Sequence, residues 1–188
     1  MNKILCLVLM LLVSCSSEAI RISPNKRGVD PIFAPYTRDY SNIINSKYKR
    51  NRHIYNNRMN KLSMNFTNLG GTTIGRCHWL LNGEFEIEVD QAYWNRAGFL
   101  SKQFLIYHEL EHCIRFRMHT HEDAYKTNIW QYIEHWAQLI GLIPKRGYFR
   151  DGCPNSIMHP SDCGEWCHLE HYNSYIDEMI NYKDSRLQ

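Results

Sequence analysis

His108, Glu109 and His112 stand in the run His-Glu-Leu-Glu-His, two imidazoles four residues apart with a carboxylate directly after the first. On an α-helix, residues four apart share a face, so both rings can bind one metal ion while Glu109 sits beside it as a base. The chemistry that needs this arrangement is metal-assisted hydrolysis, with one Zn2+ as the expected ion. A chance surface pair of histidines is the plain alternative, but it gives no reason for a glutamate in this register. Glu111 lies two residues from the base, points elsewhere on the helix, and is expected to be structural.

A catalytic zinc ordinarily takes three protein ligands and keeps a further position for water. The third must come from beyond the helix. His119 follows His112 by seven residues, His121 by nine and Glu134 by twenty-two, and all three are candidates.

The motif lies within Phe99 to Met118, which reads as one helix whose buried stripe is Ile106, Leu110, Cys113 and Ile114, with Ser101 a candidate N-cap. Upstream, apolar residues at 36, 40, 43, 44 and 48 follow helical spacing from Tyr36 to about Tyr55. Lys61 to Asn68 alternates like a half-buried strand. The run from Thr72 to Leu81 then meets Asn82-Gly83, a strong hairpin signal, before the alternating Glu84 to Asp90. Phe85, Ile87 and Val89 are expected in the core, with Glu84, Glu86 and Glu88 on a solvated face. Asp162 followed by Glu165 resembles a capping box for a last helix with Leu169, Tyr172, Ile176, Met179 and Ile180 on its apolar side. A short helix is also expected between Asp123 and Ile140. The fold class is α+β: a small mixed sheet packed on an N-terminal helix and the motif helix, with a helix at the C-terminal end.

Two separated motifs carry a family resemblance. The segment from His108 to His119 fits HExxHCxxxRxH, and Asn155-Ser156-Ile157-Met158-His159-Pro160 looks like the Met-turn of the metzincins. The combination is similar to a group of small bacterial metallopeptidase-like lipoproteins. That resemblance implies a zincin or metzincin-like fold and an endopeptidase in which His108, His112 and His119 hold zinc, Glu109 is the base and Met158 lies at the turn. It spans roughly residues 36 to 182. Against the metzincin pattern HExxHxxGxxH, Arg115 stands at the glycine and Met118 at the third histidine. Glu134 as third ligand would instead follow the gluzincin arrangement. These departures leave a second function open, a zinc-binding lipoprotein that acts as a binding or interaction module without turnover. For the oxyanion, Tyr172 or His171 is a candidate donor, and His159 and His171 are candidates for touching substrate.

The chain has 188 residues, enough for one domain with a sizeable core after its leader. Met1-Asn2-Lys3 and the apolar run to Val13 read as an export signal too short to span a bilayer, ending in Leu12-Val13-Ser14-Cys15, which resembles a lipobox with Cys15 as the lipidated mature N-terminus. Residues 1–14 are then signal, 15–35 a Pro-containing tether, and 36–188 the catalytic domain. The expected location is the bacterial envelope, on the outer membrane facing the periplasm or on the cell surface, as a monomer acting on peptide or protein. Twenty-two Lys and Arg against 19 Asp and Glu give a formal charge of only +3, which argues against nucleic acid as partner. Lys47, Lys49, Arg50 and Arg52 are read as solvated. Cys77, Cys113, Cys153, Cys163 and Cys167 are expected to form disulfides with one left over, including a bond within the last three, for which a small structural zinc site is the alternative.

Overall fold

A computed structural model of the chain describes residues 28–119, 149, 151, 153–159 and 164–182. Cys15, His121, Glu134, Asp162, Cys163 and the helix expected between Asp123 and Ile140 lie outside the described residues. The architecture is mixed α and β. In chain order it comprises α1 (Ala34–Lys47), α2 (Arg52–Met59), β1 (Leu62–Thr67), β2 (Gly75–Trp79), β3 (Phe85–Asp90), α3 (Gln91–Arg96), α4 (Phe99–Arg115), α5 (Gly164–Glu170) and α6 (Tyr172–Asn181).

The sheet has the order β1-β3-β2, with β1 parallel and β2 antiparallel to β3. The Asn82-Gly83 hairpin forms as expected: Gly83 takes φ 76°, a left-handed conformation open to glycine, and Leu80 N–H donates to Glu84 O at 3.0 Å. Ile87 and Val89 are fully buried together with Met64, so the alternating pattern places its apolar side in the core. The glutamates opposite are not a solvated face. Glu86 is 8 % exposed, and Glu88 pairs with His78 at 2.9 Å across the antiparallel ladder.

Residues before 36 also pack on the sheet. Met64 pairs on both sides with the segment before α1, through Gly28 O and Asp30 N–H, and Phe33 is wholly buried against Phe66 and Trp94. The expected helix from Tyr36 to Tyr55 is two helices. It breaks at Tyr48 (φ −99°, ψ 53°), whose hydroxyl is drawn to the carbonyls of Ile180 and Tyr182, so tertiary bonding overrides helical continuity. The stripe itself holds, with Tyr40 and Ile44 about 1 % exposed, and Lys47, Lys49, Arg50 and Arg52 are exposed.

The C-terminal helix likewise divides, at His171. Leu169 is therefore 67 % exposed, while Tyr175, absent from the expected face, is buried with Met179. Two disulfides form among the described residues, Cys77–Cys113 from β2 to α4 and Cys153–Cys167 to α5. Such bonds persist in oxidising, extracytoplasmic surroundings. No helix among the described residues is long and apolar enough to cross a membrane.

Candidate metal centre

α4 is amphipathic in the way its sequence implies. Ile106, Leu110, Cys113 and Ile114 are completely buried, leaving His108 and His112 on another face beside a cleft. Its first turn is not capped by Ser101. The N-cap is Gly98, and the orphan N–H groups of Leu100 and Ser101 both donate at 3.0 Å to the carboxylate of Glu165, which reaches across from α5. Glu165 therefore serves a different helix from the one its sequence position suggests.

The helix ends at Arg115, because Phe116 adopts a left-handed conformation (φ 56°, ψ 34°) and Arg117 N–H turns back to Glu111 O at 3.0 Å. That reversal returns the chain over the cleft and delivers His119. The three Nε2 atoms of His108, His112 and His119 lie 3.0–3.1 Å from one another.

The rings of His108 and His112 are fixed from behind. His108 Nδ1 is 2.6 Å from Ile157 O, and His112 Nδ1 is 2.6 Å from Arg117 O. A carbonyl can only accept, so each Nδ1 carries the proton and each Nε2 presents a lone pair to the shared point. Burial, reinforced by the neighbouring His112 ring, pushes His108 down to about 3 and keeps it neutral at ordinary pH. Lone pairs converging at this distance repel unless a cation lies between them. Nitrogens so spaced share a common point at the roughly 2.0–2.1 Å expected for zinc, so the residues fit a metal ion.

Glu109 is 5 % exposed and lines the same cleft. A Cβ on Gly75, at the start of β2, would lie 2.5 Å from Glu109 Oε1 and 2.9 Å from its Cγ. The missing side chain at residue 75 is thus the space this carboxylate occupies. The cleft encloses about 380 Å3 and runs between β2 with its preceding loop, α4, and the 154–159 segment. Met158 is fully buried next to Ile157.

His119 is thus brought to His108 and His112. His159 and Tyr175 line the cleft, with the Tyr175 hydroxyl donating to Pro154 O at 2.6 Å. His171 and Tyr172, the candidate oxyanion donors, do not line it. His171 stacks on Phe149 and binds Asp151 at 2.6 Å, and Tyr172 packs edge-on against Phe104. Sequence reasoning missed Gly75 and the two carbonyl anchors. A glycine followed by an alternating strand signals a close approach at most, and backbone carbonyls leave no mark in side-chain identity. Compared with protein-family models, with curated proteins and with solved structures, the chain finds no match in any of the three.

Proposed function

We infer that the chain is a zinc-dependent endopeptidase of metzincin-like type. The observation that carries this is the trio of converging Nε2 atoms with Glu109 held beside them in the space left by Gly75. The departures from the metzincin pattern also acquire a reason. The turn falls at Phe116 rather than at residue 115, and the third histidine follows it by three residues, so turn and ligand have shifted together by one position.

His108, His112 and His119 would hold the ion, which supplies Lewis acidity, lowering the pKa of water and polarising a carbonyl. Glu109 Oε1 or Oε2 receives the proton of the attacking water and delivers it to the departing amine nitrogen. Among the described residues β2 is an edge strand, and the segment from Thr72 to Cys77 lines the cleft, which supports an extended peptide binding there by backbone pairing. Neutral His108, fixed by Ile157 O, keeps its lone pair available throughout.

Glu109→Gln tests this reading. The wild type should cleave members of a peptide library, and the variant should lose roughly 10²–10⁴-fold in rate while retaining its zinc. Identical product profiles at full zinc occupancy would falsify it. We also propose export with lipidation at Cys15, on the lipobox-like Leu12-Val13-Ser14-Cys15. Labelled fatty acid should enter the wild type and not Cys15→Ser.

A further inference from the structure

The carbonyls that orient His108 and His112 belong to two segments remote in sequence, and one side chain touches both. Glu178, on α6, accepts through Oε1 from Ser156 Oγ at 2.8 Å and from Arg117 Nη2, and through Oε2 from Ile157 N–H at 2.8 Å. Ser156 Oγ in turn accepts from Met158 N–H at 3.0 Å, closing the turn around Ile157. Ile157 O is the acceptor for His108 Nδ1, and Arg117 O the acceptor for His112 Nδ1.

Arg117 is held from its other side as well. Its Nη1 donates to Glu111 Oε2 at 3.0 Å, its N–H to Glu111 O at 3.0 Å, and its guanidinium lies 4.4 Å from the Tyr182 ring centroid. Glu111 is wholly buried and also accepts from Tyr40 and Arg115. The guanidinium of Arg117 thus bridges two carboxylates, one on α4 and one on α6. Charge-assisted bonds of this kind fix geometry more firmly than neutral ones.

The geometry points to Glu178 as a positioning residue for the metal centre: it registers the two carbonyls that orient His108 and His112, and so sets metal affinity from outside the cleft. This rests on the metal-centre reading given above. Outer hydrogen-bond partners of metal-bound histidines typically contribute 10–100-fold to affinity. A carboxylate that aligns two of three ligands belongs in that range. Simple attachment of α6 to the 154–159 segment would give stability without that effect.

Glu178→Gln keeps the shape of the side chain but replaces an acceptor by a donor facing an N–H or O–H, so one of the three bonds must be lost. The full chain and this variant are compared by zinc competition against a chromophoric chelator, by the visible spectrum of the cobalt(II)-loaded forms, and by the Tm of the metal-free forms. The expected result is about a 10–100-fold weaker zinc affinity with an altered cobalt spectrum. Ser156→Ala, which removes one donor, should weaken zinc in the same direction by less, and it serves alone if the first variant does not fold. Unchanged affinity and spectrum with only a lower Tm would overturn the role of Glu178 while leaving the metal centre standing. A wild-type chain that takes up no stoichiometric zinc would overturn both.

Discussion

At residue 75 a single methyl group decides whether the Glu109 carboxylate has room. A Cβ here would meet Glu109 Oε1 at 2.5 Å and Leu105 Cδ1 at 2.8 Å, closer than such atoms pack, so Gly75→Ala must displace those side chains or the strand. Displacement of a catalytic group by about 1 Å can cost on the order of 10²-fold. The expected outcome is a fall of that order in kcat with zinc content unchanged, measured by peptide hydrolysis and metal analysis on the same sample. His119→Ala should behave oppositely, losing zinc affinity well beyond the roughly 10–100-fold of an outer partner, whereas His121→Ala should keep it. Equal zinc retention in both histidine variants would remove His119 from the site. The convergence of His108 and His112 is legible in sequence because a helix converts a spacing of four directly into a shared face. His119 was one of three candidates, since its approach depends on the left-handed turn at Phe116, a conformation that residue type does not announce. Gly75 was not legible at all, because its partner lies 34 positions away and meets it only through packing.

Elements show the same division between local and tertiary causes. The α4 stripe and the β2–β3 hairpin follow from periodicity and turn chemistry, and both form where expected. The breaks at Tyr48 and His171 do not follow from periodicity, for at each the side chain is drawn to a distant partner, the Tyr48 hydroxyl to Ile180 O and the His171 ring to Phe149 and Asp151. The capping of α4 is the clearest tertiary case. A Cβ on Gly98 would lie 2.3 Å from Glu165 Oε2, so the glycine and the carboxylate occupy complementary space. Partial burial raises the Glu165 pKa, but the N–H donors of Ser101 and Leu100 outweigh it, and the group lies below its ordinary 4.5. A depressed carboxylate stabilises the fold above its unfolded pKa, and that stabilisation is lost as pH falls through the folded value. Solvent screens this exposed carboxylate, so Glu165→Gln should lower Tm at pH 7 by no more than about 2–4 °C, the scale of a single helix cap. The gap from wild type should narrow below about pH 4.5 in thermal melts. A gap that widened on acidification would contradict this capping role.

At the scale of the molecule, the two disulfides among the described residues divide the work of holding the cleft. Cys153–Cys167 ties the segment carrying Ile157 O to α5, which also caps α4, whereas Cys77–Cys113 ties the edge strand β2 to the helix bearing the histidines. Their sequence separations of 14 and 36 residues imply roughly 3–4 kcal/mol of stabilisation each by restriction of the unfolded chain. Cys153→Ala/Cys167→Ala and Cys77→Ala/Cys113→Ala should thus lower stability by similar amounts, yet differ in function. Loosening the 153–159 segment frees the carbonyl that orients His108, so the first pair of substitutions should weaken zinc binding. In the second, both Nδ1 anchors remain, because Ile157 O and Arg117 O lie outside the bridge. Its main consequence should be a raised KM for peptide, as the edge strand loses its fixed distance from α4. Zinc competition and steady-state kinetics on the two variants measure the difference. Equal zinc affinity in both, with KM unchanged in the second, would show that the disulfides contribute to stability alone.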